Sequence, residues 1–250
     1  LPDGWFDPDW PMLTRDLPEA LGEVPPPAME DSWPSADGTY KMSGWGNHTL
    51  EGTAGRDVLE ARTKGLKTLK GGDGDDVYLD WGMAEIVEQA DEGFDWVVKN
   101  GGGNGYTLPD HVEGFVIHAA SSFTHAVDGN AADNVFVGGT SGGNEFKGRA
   151  GDDVMYGGPK GGNHIHGGDG TDTYVVTGAR ADYEIETHKY YGKVVFYLLT
   201  RPDGTTDRLE EDVEHIRFDD QILSLTENGL EPGSLNTSVQ AAADSATTDE

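Results

Sequence analysis

The chain contains no cysteine, so neither a disulfide framework nor a thiolate metal centre is available to it. No stretch approaches the roughly 18 consecutive apolar residues of a membrane-spanning helix. Basic residues are scarce: 17 Lys and Arg stand against 46 Asp and Glu. The resulting formal charge of −29 disfavours nucleic acid or an anionic membrane surface as a partner. Apolar residues make up only 35% of the chain, while 37 glycines raise the entropy lost on folding. A chain so acidic and so poor in core material is expected to need something beyond its own packing. Bound divalent cations would relieve the self-repulsion, and the cation-free chain is expected to be largely unfolded.

Catalytic signatures are also wanting. No H-E-x-x-H, P-loop or EF-hand loop occurs. Gly139-Thr140-Ser141-Gly142-Gly143 matches a nucleophile elbow formally, but no helical pattern follows it. His164-Ile165-His166 sets two imidazoles on one outer face with no third ligand in evidence, and reads as surface histidine. The acids Glu210, Glu211, Asp212 and Glu214 could pair for glycoside chemistry, which needs a cleft that three-residue strands cannot line.

What the chain has in abundance is a glycine and aspartate repeat. Gly71-Gly72-Asp73-Gly74-Asp75-Asp76-Val77-Tyr78-Leu79 and Gly167-Gly168-Asp169-Gly170-Thr171-Asp172-Thr173-Tyr174-Val175 both fit G-G-x-G-x-D-x-U-x, with U large and apolar. Units start at Ser43, Gly52, Ala61 and Gly71, then at Gly129, Gly138, Gly148, Gly157 and Gly167. In this register Leu50, Leu59, Leu69, Tyr78, Phe136, Phe146, Met155, Ile165 and Tyr174 recur at the apolar position. A recurring apolar side chain between variable neighbours asks for a short strand after each glycine turn, facing a thin core. Two turns and two strands make one coil of a parallel β-roll.

Unit lengths alternate, which separates two edges. One class carries Asp57, Asp76, Asn134, Asp153 or Asp172 at its sixth position; the longer class carries His48, Lys67, Asn144 or Asn163 at the matching place. Calcium wants six to eight oxygens, more than a lone turn supplies, whereas turns stacked about 4.8 Å apart can combine carboxylates with backbone carbonyls. Calcium is therefore expected along the Asp edge, between Asp57 and Asp76 and between Asp153 and Asp172, with Asn134/Asp153 a weaker third position. Gly71, Asp73, Gly148, Ala150, Gly167 and Asp169 supply further ligands of those turns. Lys67 makes the other edge of the first block a poor cation site.

These residues resemble the repeats of the RTX, or hemolysin-type, calcium-binding proteins, and the likeness covers residues 43–225. The resemblance implies an all-β fold, a parallel β-roll or β-solenoid of nonapeptide repeats with an antiparallel β cap. The expected organisation is a Pro/Trp-rich leader or linker (1–42), a first repeat block (43–79) and a β spacer continuing the solenoid (80–128). A second block (129–176), a β capping segment (177–225) like that of serralysin-like proteins and an acidic low-complexity tail (226–250) follow. Glu88 and Asp95 in the spacer are candidates for one further ion, and Asp207 in the cap for a terminal calcium. Outward positions such as Val58, Val77, Val135, Val154 and Tyr156 are apolar, so that sheet face is expected to be covered by the cap, the leader or a partner chain.

The resemblance further implies Ca2+ as cofactor and export from a Gram-negative bacterium by a type I secretion apparatus, with the tail as an uncleaved signal. Such a protein is secreted, extracellular or at the cell surface. The chain, opening Leu1-Pro2-Asp3, reads as a processed product or excised fragment, non-catalytic itself, stabilising or presenting an upstream catalytic or binding domain. The alternative is a glycan- or partner-binding part of an extracellular polysaccharide-active enzyme or surface adhesin.

Overall fold

A computed structural model describes residues 38–61, 65–81, 84–99, 105–117, 126–139, 141–227 and 229–232. The expectations for most of the Trp-rich leader and of the acidic tail fall outside these residues. The described part is all-β, with one short 3-10 turn at Arg180–Asp182.

The longest sheet has eleven strands. Its first nine run parallel: Tyr40–Met42, Val58–Ala61, Val77–Asp80, Trp96–Lys99, Gly114–Ile117, Val135–Val137, Val154–Tyr156, Thr173–Val175 and His215–Arg217. Ile222–Thr226 and Gly229–Pro232 then close the edge antiparallel. The opposite face is split in two. His48–Glu51, Lys67–Lys70 and Glu85–Ile86 form one small parallel sheet. Tyr106–Thr107, Ala126–Asp128, Glu145–Ala150 and His164–Asp169 form another, continued by Thr206–Glu210, Lys193–Thr200 and Glu184–Tyr190. The chain is thus a parallel β-solenoid with antiparallel strands at its C-terminal end, as the repeat pattern implied.

The recurring apolar residue fills the space between the faces. Leu59, Leu69, Tyr78, Phe136, Phe146, Met155, Ile165 and Tyr174 are all buried, while Leu50, in the first coil, packs against the cluster from a half-buried position. The spacer supplies equivalents in register, Val97 beside Tyr78 and Phe115 beside Phe136. The core is one residue thick, as a period-two strand allows.

The outer face of the long sheet is also buried. Val58, Val77, Leu79, Trp96, Val98, Val116, Val137 and Tyr156 form a second apolar cluster, with Val135, Val154 and Val175 partly buried against it. The other outer face bears Glu51, Lys70, Glu145, Lys147, His164 and His166, none of them buried. Strand alternation places both sets as the sequence pattern required.

The cap closes the roll with an internal ion pair. Lys193–Thr200 turns through Asp203 and Gly204 into Thr206–Glu210, whose strand lies beside His164–Asp169. Inside it, Nε of Arg201 donates to Oδ2 of Asp207 at 2.7 Å, with side-chain exposures of 4% and 0%. The Tyr174 hydroxyl donates to the same oxygen at 2.9 Å. Removing one partner leaves a buried charge unmatched, so Arg201→Met is expected to destabilise the calcium-loaded protein by about 3–5 kcal/mol in denaturant titration. Asp207→Asn tests the same pair from the other side.

Candidate metal centre along the aspartate edge

Backbone N–H groups of the turns need acceptors, and the sixth-position side chain of the next coil provides them. Asp57 N–H donates to Oδ1 of Asp76 at 2.7 Å, and Asp76 N–H to Oδ1 of Asp95 at 2.9 Å. Asp95 N–H donates to Oε2 of Glu113 at 2.9 Å. The series resumes with Asn134 N–H to Asp153 at 2.6 Å, Asp153 N–H to Asp172 at 2.9 Å and Asp172 N–H to Glu214 at 2.8 Å. Thr39 N–H extends it backwards to Asp57. One carboxylate oxygen per coil is thereby committed to tying that coil to its neighbour.

The second oxygen is the telling one. Oδ2 of Asp76, Asp153 and Asp172, and Oε2 of Glu88, are buried and have no hydrogen-bond donor among the described residues. Each Asp oxygen points at the first glycine of its own turn. A Cβ on Gly71 would lie 1.8 Å from Oδ2 of Asp76, and one on Gly148 would lie 1.9 Å from Oδ2 of Asp153 and 2.5 Å from the Gly167 carbonyl oxygen. At Gly167 the neighbours would be Oδ2 of Asp172 at 2.3 Å and the Asp212 carbonyl oxygen at 2.0 Å. Orphan carboxylate oxygens and carbonyl oxygens of successive turns thus converge where no side chain fits.

Such a cradle lacks positive charge. Burial foremost raises the carboxyl of Asp76 to about 7, that of Asp153 to about 8 and that of Asp172 to about 7, and neighbouring acids add to it. Glu88 rises to about 8 and Asp95 to about 9, again chiefly by burial. A buried oxygen without a donor is costly unless a proton or a cation joins it. The donor set, all hard oxygens, fits calcium.

The structure brings Asp76, Glu88 and Asp95 together, with one oxygen from each within 4.8 Å of the others. All three are buried. Glu88 holds the place of a turn glycine: its Oε1 accepts the Gly71 N–H at 3.1 Å. Asp57 differs from the other Asp rungs, because Thr53 donates to it through its N–H at 2.5 Å and its hydroxyl at 3.1 Å. Asn134 turns its amide group on the spacer, Nδ2 facing the carbonyl oxygens of Val112 and Glu113 at 3.4 Å each. Gly71, Gly148 and Gly167 are buried in the turns, Ala150 is half-buried, and Asp73 and Asp169 are exposed.

On the opposite edge, among the described residues, no buried side-chain oxygen is left without a donor. Nδ2 of Asn163 donates to the Gly157 carbonyl at 3.0 Å and to Oδ1 of Asp207 at 2.9 Å. The buried Lys67 ammonium donates to the Gly46 carbonyl. Asp207, offered by the sequence as a terminal calcium ligand, has both oxygens met by Asn163, Tyr174 and Arg201. The guanidinium of Arg201 stands where a cation was expected.

Glu113 and Glu214 escaped the motif reading because they lie in the spacer and the cap and are not Asp. A signal was present: each sits two residues before an inward apolar residue, Phe115 or Ile216, just as Asp172 precedes Tyr174. Burial raises both carboxyls.

A parallel β-solenoid whose glycine turns stack buried carboxylates on one edge is the architecture of a calcium-dependent roll. The family model of the RTX calcium-binding nonapeptide repeat matches this chain at residues 42–62, 138–159 and 160–176. The chain therefore carries RTX-type calcium-binding repeats, and that repeat family binds Ca2+. It is also 36% identical over 93 residues to the endo-1,3-1,4-beta-glycanase ExsH of Rhizobium meliloti (strain 1021). That stretch is 37% of this chain and 19% of the glycanase, so the likeness is partial. No solved structure matches the chain significantly.

Glycine at the first turn position is a requirement of this geometry. Gly71→Ala would drive a methyl group into Oδ2 of Asp76 and, at 2.4 Å, into the Tyr78 hydroxyl. The variant is expected to need about tenfold more calcium to fold, read from the midpoint of a circular-dichroism titration. Gly44→Ala is the control, since its φ is not positive and its added Cβ would meet only Nε2 of His48 at 3.6 Å, an ordinary contact.

Proposed function

We propose that this chain is a calcium-folded module of a secreted bacterial protein, disordered at the low calcium of the cytosol and folding after type I export. The observation that carries the reading is the set of donorless buried oxygens at Asp76, Asp153 and Asp172. Three ion positions follow. Asp76, Glu88 and Asp95 hold the first. Asp153, with the Gly167 carbonyl, holds the second. Asp172, with Asp212 and Glu214, holds the third, at the joint between the second block and the cap. Asp57 and Asn134 serve mainly to tie coils together, because protein donors meet their oxygens.

Extracellular calcium modules bind at about 0.1–1 mM, so calcium outside the cell suffices and calcium inside does not. The formal charge of −29 supports the same reading, since unneutralised acids resist compaction during export. In this function the roll does no chemistry; it stabilises or presents an associated domain. The partial likeness to a β-glycanase supports a second reading, in which that associated domain acts on polysaccharide. Calcium binding counted by equilibrium dialysis tests the first: about three ions per chain are expected, and fewer than one would overturn it. Retention of calcium-loaded protein on a mixed-linkage β-glucan column, lost on changing outer-face residues alone, would favour direct glycan contact over mere support.

A further inference from the structure

The outer face of the second sheet carries a cluster whose chemistry differs from that of the aspartate edge. Glu145–Ala150 and His164–Asp169 run parallel, with Glu145 opposite His164 and Lys147 opposite His166. Phe146 and Ile165 point into the core, so Glu145, His164 and His166 project together from the other side. One carboxylate oxygen of Glu145 and one ring nitrogen from each histidine lie within 4.8 Å of one another. The third ligand, which the sequence did not reveal, comes from the neighbouring coil.

His166 supplies the independent observation. Its Nε2 is shielded from solvent and has no hydrogen-bond partner among the described residues, with Oε1 of Glu145 4.0 Å away. Burial, and then His164, hold this imidazole below its usual range, which keeps it neutral and able to coordinate near pH 7. His164 is oriented from the far side by Glu210, whose Oε1 is 2.5 Å from its Nε2. A carboxylate behind a ligating histidine fixes the orientation of the ring. Two paired strands hold all three groups, so little ordering is left for the ligand to impose.

We infer that Glu145, His164 and His166 form a site for a borderline transition-metal dication such as Zn2+. Two imidazoles and a carboxylate suit zinc, nickel or copper, whereas calcium prefers an all-oxygen shell. The aspartate edge and the outer face of the second sheet therefore select different metals. Other charges face the cluster. Lys147 Nζ lies 2.8 Å from Oε1 of Glu145 and competes for that oxygen. Arg208 Nε lies 2.6 Å from Oε1 of Glu210, and Asp212 adds negative potential near His166.

The test uses the full chain in saturating calcium, titrated with Zn2+ against a chromogenic chelator, with Co2+ absorption as a second readout of nitrogen ligation. Wild type is expected to bind one zinc, and His164→Asn/His166→Asn to lose about 100-fold in affinity along with the Co2+ bands. Lys147→Met is expected to bind zinc more tightly. The calcium midpoint should be unchanged in every variant, which separates this site from the calcium reading. His166→Gln serves where the double variant misfolds. Equal zinc affinity in wild type and the histidine variants, or zinc entering only by displacing calcium, would overturn the inference.

Discussion

Chelation at pH 8 is expected to abolish the β signal of this protein, and lowering the pH to about 4 in the same chelator to restore part of it. Asp76 and Asp172 are raised to about 7, Asp153 and Glu88 to about 8 and Asp95 to about 9, with burial the first cause of each. In the cation-free roll these groups bind protons that the unfolded chain, with carboxyls near 4, releases. Their contribution to stability is therefore fully present below about pH 4 and is lost as pH rises through about 7 to 9. Five such groups make the cation-free fold untenable at neutral pH, even if each contributes only about 1–2 kcal/mol after screening. Calcium reverses the sign of the dependence. It competes with protons for the same oxygens, so its binding tightens as pH rises and releases protons as it occurs. Circular dichroism over pH 4–9, with and without calcium, checks both arms. A chelated protein equally folded at both pH values would contradict the reading.

The second large effect is expected from Asp76→Ala. This side chain accepts the Asp57 N–H through Oδ1, while its other oxygen lies in the cluster with Glu88 and Asp95. Losing it cuts a tie between coils and strips one ligand from the first ion position. The midpoint of calcium-induced folding should move upward by about tenfold or more, and the transition should broaden as the first block uncouples from the second. Asp172→Ala is expected to shift the midpoint in the same direction, acting instead at the joint with the cap, where Asp172 N–H is held by Glu214. Asp73→Ala makes a useful contrast: its side chain is exposed, and only a small shift is expected. An Asp76→Ala protein that folds at the wild-type calcium concentration would remove the first ion position from the account.

Much of the fold was legible because one repeat period carries both turn and core. A glycine turn followed by one large apolar residue defines which side chain faces inward, and Phe136, Phe146, Met155 and Tyr174 obey it without exception. Periodicity also separated the two edges, since the alternation in unit length puts acids on one and amides or Lys67 on the other. Beyond the strict motif the signal weakened. Glu88 opens a spacer turn longer than the repeat turn, so the nine-residue motif does not mark it; the pairing of Ile86 with Leu69 sets it beside Gly71, whose N–H it accepts. Arg201 was invisible as a cation substitute, because its pairing with Asp207 depends on how a hairpin folds back over the last coil. Thr53, an ordinary turn residue by sequence, meets the oxygens of Asp57 that the repeat pattern assigned to calcium. In each case the nine-residue motif leaves unmarked the donor that meets the oxygen.

The most direct test is an anomalous-diffraction map of the calcium-loaded protein. Peaks are expected about 2.3–2.6 Å from Oδ2 of Asp76, Asp153 and Asp172, with carbonyl oxygens of adjacent turns completing each shell. None is expected between Asp207 and Arg201. Water alone beside those three aspartates in a folded, calcium-soaked crystal would contradict the claim that cations hold the coils together.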